Sequence, residues 1–554
     1  MGVLRAEDAL DNPVSSIQSG SLDSIDLTTP PVDISEDVDI GFDELLKFSF
    51  PETAKGESIS QIGQVEYVGD AICKITGIDD ARVEDVVNVM TADGIQTALI
   101  LGIDRGLIEA VVMGDYSRIK RGDQALSTGE RLSIPVGDGL LGRVVSPLGE
   151  PLDGKGELPF EVKRPIEYPG PSIMMREPIY EPLQTGIMVI DTTIPVGLGQ
   201  RELVIGDRKT GKSRTVLDAI AYQKGKDMYC VYVGVGMQAA KAKEALNLLN
   251  EKDAMGFTTI VMSFSDDPPT LQYIAPYAGV AVAEHLMYQG KHVLVVYDDL
   301  SKQAKAYRQV SLLLKRSPGR DAYPGDIFFL HSRLLERSAK LHTKLGAGSI
   351  TAMPVAQTVA GDVSEYIITN LMSITDGHIY LDTNLMNEGV LPAVNSGLSV
   401  SRIGGKVQVP LLRKMGELAG RQIARYAEVK SFETINTEVA EETLRDIRRG
   451  KRVTEMFAQE SRFNLGSDEQ ILLMAIATSG RIDQMELEDM LNFKRDILEF
   501  YRSNDFSQYK TVSQKGKALE EIDPLIDDML TQFKEKYTKY KMGIEILGDK
   551  EPGK

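Results

Sequence analysis

Residues 201–220 read RELVIGDRKTGKSRTVLDAI: an apolar run, a glycine-punctuated octet, then apolar residues at helical spacing. The octet Gly206-Asp207-Arg208-Lys209-Thr210-Gly211-Lys212-Ser213 fits the pattern G-x-x-x-x-G-K-[ST]. The spacing has a physical reason. Glycines let successive backbone amides curl around a phosphate, Lys212 neutralises its charge, and the Ser213 hydroxyl can ligate magnesium. A strand before the octet and a helix after it distinguish a phosphate loop from a plain strand-turn-helix connection. The expected ligands are therefore ATP or ADP with Mg2+.

Working outward from the loop, residues 131–410 repeat the same alternation. MYCVYVGV precedes QAAKAKEALNLLNEK, TTIVMSF follows, and HVLVVYDD precedes SKQAKAYRQVSLLLKR. Strands apolar on both faces that alternate with helices predict a mostly parallel sheet covered on both sides. Residues 58–130 consist instead of short alternating runs broken by GD, DD, DG and DRG, which predict a small antiparallel barrel or sandwich, the barrel being the one expected here. Residues 411–554 are dominated by amphipathic stretches such as RKMGELAGRQIARYAEVKSF, which predict a helical bundle. The fold expected is thus a β-barrel, a central α/β P-loop NTPase domain and a C-terminal α-helical bundle. Residues 1–57, with 13 acidic residues against three basic and with Pro13, Pro30, Pro31 and Pro51, predict a mostly disordered acidic tail. Within it only FDELLKF (42–48) could form a helical turn or two.

The whole chain of 554 residues carries a net charge of −19. That balance is poor for nucleic acid, because counterion release needs clustered Lys and Arg. Cys73 and Cys230 lie far apart and outside any zinc pattern, so a disulfide framework is not expected. No apolar run approaches the ~18 residues that span a bilayer. The five histidines form no HxxxH or HExxH pattern and read as structural. The expectation is a soluble, cytoplasmic protein.

A magnesium-binding P-loop enzyme also needs a carboxylate beyond the loop, and Asp298 at the end of HVLVVYDD is the candidate, acting through water. Asp299 reads as structural. The plainer alternative is that both acids end a strand and open a helix, where they favour the helix dipole. A hydrolase needs in addition a group that orients water, commonly a Glu at the end of the strand next to the phosphate loop. Here that position is Met237, whose thioether cannot serve as a base. Arg402, in SGLSVSRIGG, is flanked by small residues and on this pattern alone reads as a surface ion pair.

Four long segments carry a resemblance: PVGDGLLGRVVSPLGEPLDGKG (135–156), PLQTGIMVIDTTIPVGLGQRELVIGDRKTGKS (182–213), residues 297–340, and SITDGHIYLDTNL with SGLSVSRIGG after it. From about residue 60 to 540 the chain resembles the alpha subunits of F-type ATP synthases. The resemblance implies a RecA-like central domain and a hexameric ring of alternating alpha and beta chains around a gamma-type central shaft. It further implies a delta-type peripheral stalk and a peripheral position on the cytoplasmic face of a bacterial membrane. In such rings alpha binds MgATP without turnover and lends an arginine to the catalytic site of beta, a role that maps to Arg402. The family pattern is departed from at Lys209, Ser213, Met237 and Leu391, and in the N-terminal tail. Two rivals remain at this stage: a self-sufficient ring ATPase, and an alpha-like subunit of a ring that drives something other than proton flow.

Overall fold

The computed structural model describes residues 61–159, 162–430, 441–460, 463–516, 518–538 and 540. The expected acidic tail and FDELLKF lie outside the described residues.

The alternating runs after residue 61 form six strands: β1 (Ile62–Gly69), β2 (Ile72–Thr76), β3 (Asp85–Thr91), β4 (Gly94–Asp104), β5 (Leu107–Val112) and β6 (Gln124–Arg131). They close in the order β1-β2-β5-β4-β3-β6, with β1 pairing β6 antiparallel. Every second residue faces inward, so Val65, Ile75, Val87, Val89, Ile100 and Val112 fill the interior. Cys73 points into the same core, where burial pushes its thiol up to about 12. The barrel also rests on the central domain, since Ile72 and Val111 pack with Val310 and Leu314. Arg316 clamps this contact by donating to the Leu101 carbonyl at 2.6 Å.

The central sheet has eight strands: β7 (Val144–Val145), β8 (Glu202–Gly206), β9 (Met228–Met237), β10 (Thr258–Phe264), β11 (His292–Asp298), β12 (Ser349–Gln357), β13 (Gly377–Leu381) and β14 (Val400–Ser401). Their order is β14-β13-β8-β12-β11-β9-β10-β7, parallel throughout except for the antiparallel edge pair β13–β14. Helices α1 (Lys212–Ala221), α2 (Ala239–Glu251), α3 (Pro269–Tyr288), α4 (Leu300–Leu313), α5 (Ile327–Leu335) and α6 (Tyr366–Ile374) connect these strands. Helix α3 is buried along nearly its whole length despite an internal Pro276. Its Glu284 takes a bidentate pair from Arg337, both bonds at 2.7 Å, and a further bond from Arg164 at 3.0 Å. A buried carboxylate between two guanidiniums holds three segments together, because any one group left alone there would be an uncompensated charge.

The C-terminal region contains α7 (Pro410–Val429), α8 (Glu441–Phe457), α9 (Ser467–Ser479), α10 (Met490–Ser503), α11 (Ser507–Lys515) and α12 (Asp523–Lys536). Helix α9 carries ILLMAIA and is buried on all sides. One apolar cluster runs from Val189 and Ile190 through Met415 to Ile471 and Phe493, so bundle and central domain share a core. Polar contacts fix their relation. Gln459 accepts from the Met188 N–H at 2.9 Å and donates to the Gly186 carbonyl, while Gln470 donates to buried Asp191 at 2.8 Å. Among the described residues, no helix is long and apolar enough to cross a membrane.

Candidate functional site

The octet forms the turn between β8 and α1. Gly206 (φ 155°) closes the strand, and Lys209 (φ 66°) and Gly211 (φ 95°) take left-handed conformations that curl the chain back toward the helix. Helix α1 then starts with no side-chain cap and no acidic residue in its first turn. Its N-terminal amides and the positive end of its dipole are thus available to an anion.

The loop side chains divide into braces and open groups. Asp207 accepts from Thr358 Oγ1 at 2.7 Å, the Gly361 N–H at 2.9 Å and Thr383 Oγ1 at 3.2 Å. Burial pushes its carboxyl up, but these bonds outweigh that and hold it below the usual range. Thr210 donates to the Asp207 carbonyl at 2.9 Å. Both side chains hold the loop's shape. Lys212 donates to the Gly206 carbonyl at 2.8 Å and to the Asp207 carbonyl, and burial draws its ammonium down against the opposing pull of Asp299 and Asp298. Arg208, Lys209 and Ser213 are exposed.

The candidate metal carboxylate lies close by. Asp298 ends β11, and the registers Asp298–Val355 and Val204–Val355 set it level with the last turn of β8 before the loop. It is 5 % exposed and accepts from the Tyr232 hydroxyl at 2.9 Å. Asp299, 7 % exposed, caps α4 by accepting from the Lys302 N–H at 2.8 Å. Burial raises its carboxyl. Among the described residues, no cluster of three or more His, Cys, Asp or Glu forms an all-protein metal cage. An ion carried in with phosphates and held by one hydroxyl and one carboxylate through water suits such a donor set.

Met237 corrects the sequence expectation about neighbouring strands. It ends β9, but β12 and β11 stand between β9 and the phosphate-loop strand β8, so β9 is not the adjacent strand. Parallel sheets in this architecture are not laid down in chain order, and sequence proximity misled here. Met237 is 4 % exposed and belongs to the central core. The polar group beside its backbone is one the sequence reading passed over: Lys302 donates to the carbonyls of Val235 at 3.1 Å and Gly236 at 3.0 Å. Its position three residues after Asp299, in the first turn of a helix, was the available signal.

A cavity of about 280 Å3 opens beside the loop. Its lining includes Thr210, Gly211 and Arg214 from the loop and helix start, and Leu391, Pro392 and Gln459 from later segments. Leu391 thus contributes apolar surface to the cavity. A larger cleft of about 710 Å3 beside α7 touches no residue of the loop, so size does not mark the site.

Arg402 sits elsewhere. Just past the edge strand β14, it donates its backbone N–H to the Asp376 carbonyl at 3.0 Å and its guanidinium to the Thr375 carbonyl at 3.4 Å. Asp376 precedes the first residue of β13, whereas Gly206 of the loop pairs with Leu381 at the other end of that strand. Five residues of strand separate them, about 16 Å at the rise of a β-strand. The side chain is exposed at the sheet edge. The structure therefore brings Lys212, Ser213 and Asp298 together and leaves Arg402 outside that group.

The comparisons with known proteins fit this arrangement. Residues 186–401 match the model of the ATP synthase alpha/beta family, nucleotide-binding domain, and residues 408–533 match the ATP synthase alpha/beta chain, C terminal domain. An ATP synthase subunit alpha of Aquifex aeolicus is 41% identical over 494 residues, covering 89% of this chain and 98% of the relative. The chain belongs to the family of ATP synthase alpha subunits. Other members include those of Streptococcus mutans, 43% identical over 477 residues, and of Caldanaerobacter subterraneus subsp. tengcongensis, 44% over 478 residues, each covering 86% of this chain and 94% of the relative. Membership makes this chain a nucleotide-binding subunit of the ATP-synthesising ATPase complex. The three-part architecture expected from the sequence is that of the family.

Proposed function

We propose that the chain is the regulatory, non-catalytic alpha subunit of a proton-translocating ATP synthase. It alternates with beta chains around a gamma-type shaft, with a delta-type stalk attached and the complex seated peripherally on the cytoplasmic face of a bacterial membrane. The observation that carries this reading is the separation of Arg402 from the chain's own phosphate loop. An exposed guanidinium at the opposite end of the sheet cannot reach a phosphate held at Lys212, but it is free to enter a neighbour's site.

In this reading the octet Gly206–Ser213 holds the phosphates of ATP or ADP. The Ser213 hydroxyl and Asp298, through water, hold Mg2+, which would draw charge off the phosphate oxygens. The adenosine occupies the cavity between Arg214 and Leu391. As the resemblance implies, bound nucleotide is not turned over, and Met237, with its side chain in the core, supplies no acid to the site. Arg402 acts on the partner's nucleotide by stabilising charge on the transferring phosphoryl group, a contribution worth roughly 10³–10⁵ in rate for an arginine supplied in trans.

The test is steady-state ATP hydrolysis by the chain reconstituted with its beta and shaft partners, with Arg402 intact and as Arg402→Lys. A loss of at least about a hundredfold with assembly intact is expected. Unchanged turnover would remove the assigned role.

A further inference from the structure

Helix α1 places two cations, Lys212 and Arg214, in its first turn, with no acidic residue among them. Positive side chains at the positive end of a helix dipole repel it unless an anion is bound there. Lys212 accounts for itself by folding back over the loop onto the Gly206 and Asp207 carbonyls. Arg214 does not fold back. Its side chain is 36% exposed, and it lines the 280 Å3 cavity together with Gly211. Asp218, one turn later, accepts from its Nε at 3.2 Å. That bond fixes the plane of the guanidinium at the junction between loop and cavity, and a fork so held is suited to a bidentate grip on a phosphate. The two acids lining the cavity, Asp218 and Glu460, carry the opposite sign, so among its described lining residues Arg214 is the charged group that favours an anion.

On the reading of this cavity as the nucleoside pocket, we infer that Arg214 is a second phosphate-binding cation, gripping the phosphate nearest the nucleoside while Lys212 takes the far end of the chain. The ligand class is a nucleotide with at least two phosphates. Affinity for it is divided between the two cations, and the nucleoside alone gains nothing from either.

The test is equilibrium titration of the full-length chain with fluorescent N-methylanthraniloyl ADP and ATP, and with adenosine as competitor. The variants are Arg214→Gln, which keeps a donor for Asp218 but removes the charge, Arg214→Lys, and Lys212→Ala. The expected result is that Arg214→Gln weakens ADP and ATP alike by about tenfold, flattens the salt dependence and leaves adenosine unchanged, with Arg214→Lys recovering part of the loss. Unchanged ADP and ATP affinity in Arg214→Gln, with Lys212→Ala still losing both, would overturn the inference and leave the site intact. An equal loss for adenosine would also overturn it, by making Arg214 a packing residue. If Lys212→Ala alters nothing, the nucleotide site itself is misassigned.

Discussion

Asp298 and Asp299 are neighbours in the chain and opposites in employment. One accepts from a tyrosine hydroxyl at the end of its strand, and the other accepts from the Lys302 N–H in the first turn of α4. Replacing Asp299 by Ala removes the cap and should cost on the order of 1 kcal/mol, read as a lower urea midpoint. Replacing Asp298 by Asn should leave stability nearly unchanged and abolish the dependence of nucleotide affinity on Mg2+, measured by titration with and without the ion. Met237 invites the opposite experiment. Because its side chain lies in the core, Met237→Glu should lower the melting temperature without conferring hydrolysis on the isolated chain, since a buried unpaired carboxylate is costly. A gain in turnover would mean the strand end is more accessible than its burial implies. His331 gives a pH prediction. It is fully buried, and burial draws its imidazole down to about 4 from an unfolded value near 6.5. The unfolded chain therefore binds the extra proton first as pH falls, so stability is retained above pH 6.5 and declines toward pH 4 by up to about 3 kcal/mol. Urea titrations of wild type and His331→Phe across that window should diverge accordingly.

Among the elements, those with a clear period were legible in the sequence and those without one were not. The barrel strands alternate, and α7 has a one-sided apolar stripe, so pattern alone predicted both. Helix α3 escaped because residues 269–288 are apolar on every side and interrupted by Pro276, which leaves no amphipathic signal. The phosphate loop was readable because its chemistry is local to eight residues. The neighbours of β8 were not, because sheet order is set by long-range packing and consecutive segments here are not adjacent in the sheet. Arg402 illustrates the same divide. Its surroundings in sequence suggested a surface ion pair, and only the strand register separates it from its own loop. Helix α3 also carries a fully buried carboxylate, Glu284, paired with Arg337 and Arg164. Glu284→Ala would strand Arg337 and Arg164 in the interior, with an expected loss of 3–5 kcal/mol, on the order typical for breaking a buried pair, visible in chemical denaturation. Glu284→Gln, keeping the hydrogen bonds, should lose less.

For the molecule as a whole, the shared apolar core and the Gln459 and Gln470 contacts tie the helical bundle to the central domain, so the two should unfold in a single transition. Two separated calorimetric transitions would contradict that. The separation between the phosphate loop and Arg402 has a consequence for assembly symmetry. A two-fold dimer repeats each contact in reverse, so a chain lending Arg402 to its partner's loop would receive the partner's arginine in return, and assembly would stop at two. The ring proposed above uses instead a heterologous, head-to-tail contact, with Arg402 on the lending face. Such contacts terminate only by closing on themselves. On the proposed role of Arg402, the direction in which help is passed is written into the strand register of a single subunit.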